Sequence, residues 1–137
     1  EVPLILMSNQ RDTTTHDIMA DVISNLEKSI SLALDVGVAE RNIIVDPGIG
    51  FGKSTTQNLE IVHRLVELKV LGKPILLGTS RKFMIGQPPD QRLWATAATV
   101  AIGIADGADM VRVHDVRQMV RICQMSDNIV RERQVTG

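Results

Sequence analysis

Four side chains in this chain combine charge with flanking punctuation in a way that could serve chemistry. Asp46 follows the apolar run Ile43-Ile44-Val45 and opens the stretch Asp46-Pro47-Gly48-Ile49-Gly50-Phe51-Gly52-Lys53. A carboxylate there can accept hydrogen bonds from a ligand edge with adjacent N–H donors. The glycines let the backbone turn sharply and approach a ligand closely. Lys82 supplies a mobile cation at the end of Thr79-Ser80-Arg81-Lys82. Arg112 and His114 alternate in Val111-Arg112-Val113-His114-Asp115, so on an extended segment both point to one face. With Ser80 they suit a phosphate or pyrophosphate. A site with one carboxylate and several cations suits a ligand that is amide-like at one end and anionic at the other.

The glycine-rich stretch admits three readings. Gly52-Lys53-Ser54 closes a P-loop pattern, but the position of its opening glycine is Pro47. Gly48, Gly50 and Gly52 approximate a dinucleotide fingerprint, with the third glycine one residue early. The third is a tight left-handed turn in which Asp46 caps backbone amides. The other groups also have plain readings. Arg112 could pair with Asp115 or Asp109, His114 could be a capped loop histidine, and Lys82 a solvated loop lysine. Met7 could be core filling. His16 and His63 read as solvent-facing and Cys123 as packing. No zinc-ligand cluster and no nucleophile–base pair is apparent.

The elements that must position these groups follow from hydrophobic periodicity. Residues 2–7 read as a buried strand and residues 8–15 as polar loop. A helix is predicted from about His16 to Val36, with Met19, Val22, Ile23, Leu26, Ile30, Ala33 and Leu34 at helical spacing. Ile43–Asp46 is the second strand. The next helix is predicted over about Asn58–Leu71, with Leu59, Val62, Leu65 and Val66 on one face. Residues 74–78 read as the third strand, and Gln91–Asp106 as a small-residue helix built for close packing. Residues 109–114 contain the fourth strand, Val116–Val130 is the last helix, and 131–137 is a fraying tail.

This alternation makes four strand-loop-helix units, hence a parallel α/β sheet in one domain spanning residues 1–137. Such units could form a small open domain or half of an eight-unit barrel, which needs about 250 residues. Polar groups at every strand end favour the barrel, whose site is assembled from many strand-to-helix loops. Ile5, Ile44, Leu76 and Val111 are expected to face the barrel interior.

With 137 residues and 44% hydrophobic content, the chain can bury one sizeable core. A net charge of −1 gives no general attraction to nucleic acid or anionic membrane. Aromatics are only 2%, which leaves little for base stacking. No apolar run approaches the roughly 20 residues of a membrane span. No signal peptide is visible, and the single cysteine fits a reducing cytoplasm. The opening Glu1-Val2-Pro3-Leu4, without Met, reads as a fragment or a processed piece.

Three motifs carry a resemblance that spans residues 2 to 130. They are Asp46-Pro47-Gly48-Ile49-Gly50-Phe51-Gly52-Lys53, then Leu76-Leu77-Gly78-Thr79-Ser80-Arg81-Lys82 with Ile85-Gly86, then Val111-Arg112-Val113-His114-Asp115-Val116. In order and spacing they resemble the dihydropteroate synthase family. The resemblance implies the C-terminal half of a TIM (β/α)8 barrel. It also implies an enzyme of folate biosynthesis that joins 6-hydroxymethyl-7,8-dihydropterin pyrophosphate to p-aminobenzoate, releasing pyrophosphate, with sulfonamides as competitors. By position, Asp46 would hold the pterin's 2-amino and N3 edge, and Met7 would line its slot. Lys82 would contact the pterin beside the aminobenzoate. Phe51 and Ser80 would form the aminobenzoate pocket, and Arg112 and His114 would bind the pyrophosphate.

The same resemblance implies a cytoplasmic homodimer and a magnesium ion whose ligand lies in the family's N-terminal half. The departures are Ser8, where the family often has His, and a helix opening Trp94-Ala95-Thr96-Ala97-Ala98 with less glycine than usual. The chain resembles only four of the family's eight units. The family's magnesium-binding Asn, its two mobile loops, and the Asp and Asn of its third and fourth strands have no counterpart here. The expectation is therefore a synthase half that is inactive alone. The alternative is a non-catalytic half-barrel that binds pterin or phosphate.

Overall fold

The computed structural model describes residues 2–9 and 16–131. The polar loop read at 10–15 and the tail at 132–137 lie outside the described residues. Four strands alternate with helices among those described: β1 (Leu4–Met7), β2 (Ile43–Asp46), β3 (Leu76–Leu77) and β4 (Met110–Val111). The helices are α1 (Ile18–Asp35), α2 (Thr55–His63), α3 (Pro89–Ala105) and α4 (Val116–Val130). All strand pairings are parallel. Leu4 lies opposite Ile43 and Met7 opposite Asp46. Val45 bridges to Ile75, and Leu76 and Leu77 face Met110 and Val111. The strands thus lie side by side in chain order, without the reversal that marks a doubly wound sheet.

One row of strand side chains packs under the helices. Leu6, Val45, Ile75 and Leu77 meet Met19, Val22 and Leu26 of α1 and Ile61 and Val62 of α2. Val111 and Val113 pack with Val100 and Ile104 of α3 and Met119 of α4. Alternate residues must point to the opposite face. Ile5, on that face, is 42% exposed. Val111 was expected there too, but its register with Leu77 places it in the helix-covered row, and Met110 and Arg112 take the other side.

The helix after β2 departs from its predicted phase. Ser54 and Gln57 form a reciprocal capping box, which starts α2 at Thr55 rather than Asn58. The α-helix stops at His63, and Leu65–Leu71 continues as a 3₁₀ segment. Three residues per turn align Leu65, Leu68 and Leu71 instead of a 3.6-residue stripe. Leu59 and Val66, expected on the buried face, are 52% and 53% exposed. Ile61, Val62, Leu65 and Leu68 are buried in their place.

The close packing expected of α3 is present. A Cβ on Gly103 would come within 2.3 Å of Leu77 Cδ2, so only glycine lets this helix lie so near β3. Thr96 and Thr99 use the same face to reach the loop after β3. Thr99 Oγ1 donates to Thr79 Oγ1 at 2.7 Å, and Thr96 Oγ1 accepts from the Arg81 amide at 2.9 Å.

Candidate active site

The predicted groups converge at the carboxyl ends of adjacent strands. Asp46 ends β2 and is only 3% exposed. Its main chain is held by β1, since the Ser8 amide donates to the Asp46 carbonyl at 3.0 Å. Its Oδ1 accepts from the Gly48 amide at 2.8 Å. Its Oδ2 meets Arg112 Nη1 at 3.4 Å, a long contact that leaves acceptor capacity for a ligand. The turn reading of the loop is therefore realised, since Asp46 caps an amide within it. Gly48 has φ +78°, and a Cβ on it would lie 2.0 Å from the Ser8 carbonyl oxygen. The loop is thus pressed against the end of β1.

Arg112 takes neither partner weighed for it in the sequence. Asp115 is held by Arg81 at 2.9 Å, and Asp109 accepts from the Ile75 amide at 2.9 Å. The Arg112 side chain is 54% exposed and follows Met110 on the open face. His114 contacts Ser80 Oγ through Nδ1 at 2.7 Å, while its backbone amide donates to the same oxygen at 3.0 Å. That pairing fixes the ring and leaves Nε2 for a ligand. Gly78, Ser80, Lys82, Arg112, Val113 and His114 line a cavity of about 240 Å³. A Cβ on Gly78 would project to 3.6 Å from Arg112 Nη1 and 3.7 Å from Lys82 Nζ, so glycine keeps this space open.

Lys82 is not a solvated loop lysine. It is half-buried, donates to the Ile49 carbonyl at 2.7 Å, and sits 4.9 Å from the centroid of the Phe51 ring. Burial lowers its pKa below the ordinary lysine value; the Asp46 carboxylate opposes that shift and the Arg112 charge adds to it. Met7 pairs in register with Asp46, at the same end of the sheet. It is partly exposed and lies outside the buried clusters, so core filling does not describe it.

Sequence reasoning missed the residues that hold this arrangement. Lys53 was weighed only as a P-loop lysine. Its Nζ donates to the carbonyls of Ser8, Gly48 and Phe51 at 2.9, 3.0 and 3.2 Å. Desolvation lowers its pKa from 10.5 to about 8, opposed by the charge of Asp46 and reinforced by that of Lys82. Asn58 is buried and its Oδ1 accepts from the Gly50 amide at 3.1 Å. Arg81, at φ 58°, ties the loop after β3 to the one after β4 through Asp115. That hydrogen bond raises the Arg81 pKa and lowers that of Asp115. A polar residue one to six positions beyond the last glycine of the turn was the available signal for Lys53 and Asn58.

Parallel strands in chain order define an α/β protein, and the buried carboxylate among cations at their carboxyl ends makes its strand-to-helix loops the candidate ligand site. The family described as pterin binding enzyme matches residues 1–114, and the chain belongs to it. The dihydropteroate synthase of Clostridium beijerinckii is 50% identical over 135 residues, which are 95% of this chain and 50% of that one. The dihydropteroate synthase of Xanthomonas albilineans, solved with 7,8-dihydropteroate, is 33% identical with a TM-score of 0.88. It aligns with 99% of this chain and 53% of its own. That of Yersinia pestis, solved with a sulfonamide drug, is 30% identical with a TM-score of 0.89, covering 96% of this chain and 52% of its own. The chain spans about half the length of the curated relatives it matches. No described helix is long and apolar enough to cross a membrane.

Proposed function

We propose that this chain is the C-terminal half of a dihydropteroate synthase, four of the eight units of a closed barrel, and that it supplies the pterin-edge and pyrophosphate side of the site. The observation that carries the reading is Asp46, a buried carboxylate with spare acceptor capacity, beside Arg112 on the neighbouring cavity wall. Asp46 takes the pterin's 2-amino and N3 donors, and Met7 lines the slot. Arg112 and His114 hold the pyrophosphate. Lys82 lies between the two, and Phe51 and Ser80 bound the p-aminobenzoate.

The arylamine nitrogen forms a bond to the pterin methylene as the carbon–oxygen bond to pyrophosphate breaks. The electron pair leaves with the pyrophosphate, and the amine loses a proton. Negative charge accumulates on the leaving group, where the guanidinium of Arg112 stabilises it. Positioning of two bound substrates supplies much of the rest, and no protein nucleophile takes part. Sulfonamides compete for the aminobenzoate position.

Magnesium belongs to the reaction in the family this chain resembles. Among the described residues, no group of three His, Cys, Asp or Glu side chains could hold a metal ion. Asp46 faces ammonium and guanidinium groups. A hard cation that needs several oxygen ligands does not fit this donor set. The proposal therefore places the magnesium ligand outside this chain. The whole enzyme is proposed to act as a cytoplasmic homodimer.

The test supplies pterin pyrophosphate, radiolabelled p-aminobenzoate and magnesium to the complete enzyme containing this chain, and separately to residues 1–137. The complete enzyme should form dihydropteroate, with competitive loss on adding a sulfonamide. Residues 1–137 should form none, because half of the substrate contacts are missing. Pterin binding without turnover by the complete protein would support the non-catalytic alternative instead.

A further inference from the structure

Among the described residues of the site, Lys53 is the cation that donates to backbone carbonyls of two different loops. Ser8 belongs to the loop after β1, and Gly48 and Phe51 to the loop after β2. Lys82 takes a further carbonyl of that same loop, Ile49, from the side of β3. Three of four consecutive carbonyls, Gly48, Ile49 and Phe51, thus accept from the ammonium groups of two lysines. A compact ammonium with three donors suits such a cage, and the flexible lysine stem delivers it from the loop's own end. Asp46 has anchors of its own besides the clamp, since the Ser8 amide fixes its main chain and the Gly48 amide its side chain. Phe51 does depend on it. The residue is 40% exposed, its ring meets Lys82 Nζ at 4.9 Å from the centroid, its amide donates to Gly48, and its carbonyl is held by Lys53.

We propose that Lys53 is a positioning residue, a tethered cation that locks the loop Gly48–Gly52 against the end of β1 and so sets the Phe51 wall of the second-substrate pocket without touching either substrate. The inference rests on the synthase reading for the identity of that substrate, but the clamp itself does not. Its charge state responds to the groups that face it, Asp46 at the end of β2 and Lys82 after β3, together with its own burial. The protonated form holds three carbonyls. The neutral amine, present above about pH 8, has one proton fewer to donate.

The experiment uses the complete synthase with Lys53→Met and Lys53→Arg. Lys53→Met should raise the KM for p-aminobenzoate at least tenfold, while the dissociation constant for the pterin pyrophosphate stays within threefold. In the parent, the KM should climb above about pH 8; in Lys53→Arg that climb should vanish, since guanidinium stays protonated. Equal losses for both ligands, or an unchanged KM in Lys53→Met, would overturn the proposal. Hydrogen exchange at the Gly50 and Phe51 amides provides a readout without turnover. Exchange at least tenfold faster in Lys53→Met supports the clamp even if the complete protein makes no dihydropteroate, and unchanged exchange refutes it. Should Lys53→Met fail to fold, a parent KM that stays flat across pH 8 decides against the idea, and one that rises and is flattened by Lys53→Arg decides for it.

Discussion

Asp46→Asn is the sharpest perturbation of this site because it changes charge and one hydrogen-bonding sense while keeping shape. In the parent, Oδ1 is committed to the Gly48 amide at 2.8 Å. The asparagine oxygen will keep that bond, since turning the amide nitrogen toward Gly48 would set donor against donor in a buried turn. The nitrogen must then occupy the Oδ2 position, facing Arg112 and the proposed pterin position. A pterin edge that offers N–H groups there meets a donor. The loss is at least one charge-assisted bond, ~1.5–3 kcal/mol, and at about 1.4 kcal/mol per decade that is roughly a ten- to hundredfold loss of affinity. Fold stability should change far less. The Arg112 contact is long and half its side chain is in water, so the pair contributes about 0–1 kcal/mol.

Calorimetric titration of the complete enzyme with the hydroxymethyl pterin, beside a urea unfolding curve, separates the two effects. A pterin affinity within threefold of the parent would refute the assignment of Asp46. So would an affinity loss that merely tracks the folded fraction.

Arg112→Ala should weaken binding of the pterin pyrophosphate at least tenfold more than binding of the bare alcohol, in paired titrations; equal losses would make Arg112 structural. Gly48→Ala must place a Cβ against the Ser8 carbonyl and keep φ near +78°. The backbone conformation alone costs about 1–3 kcal/mol, and the urea midpoint should fall accordingly; an unchanged midpoint would show that the loop can rearrange. Lys53 has a folded-state pKa of about 8 against an ordinary 10.5. Below about 8 both states are protonated, and between the two values the unfolded chain binds more protons, so this group's contribution to stability rises with pH. The parent's urea midpoint should therefore gain on that of Lys53→Met across this window; a relative loss would reverse the argument. The complete enzyme should be a homodimer in light scattering. Ala98 and Ile102 on the outer face of α3 are exposed and available for such contact, whereas Ala95, Met119 and Ile122 pack against the core and are not; a monomer at micromolar concentration would count against it.

What the sequence made legible was what alternation and composition control. The four parallel units, β2 at its observed bounds and the close approach of α3 follow from apolar runs, helical spacing and a small-residue face. The site groups were also legible, because Asp46, Ser80, Lys82, Arg112 and His114 all sit just past apolar runs. A strand end followed by a polar residue marks the one edge of a parallel sheet where ligand loops gather. Phase was less legible. The stripe Leu59, Val62, Leu65, Val66 assumed one continuous α-helix, whereas the capping box at Ser54 moved its start and the 3₁₀ segment changed its period. Both effects are local, but each competes with a hydrophobic pattern that fits two phases nearly equally well.

The positioning residues were illegible for a different reason. Lys53, Thr96, Thr99 and the Arg81–Asp115 pair reach partners 15 to 45 residues away, whereas Asn58 acts locally, eight residues from Gly50. Lys53 reaches Ser8 across 45 residues, and Arg81 reaches Asp115 across 34. No periodicity encodes such a contact. It becomes visible only when parallel register brings β1 beside β2, and β3 beside β4. The same register explains why Val111 was assigned to the wrong face while Arg112 and His114 were not. Alternation fixes which residues share a side, but pairing to Leu77 fixes which side that is. The site therefore divides into groups that face the ligand, readable from type and place in the chain, and groups that hold them. The second set turns a carboxylate, two cations and an imidazole into one arrangement. If it were dispensable, Lys53→Met would leave the loop amides exchanging as slowly as in the parent.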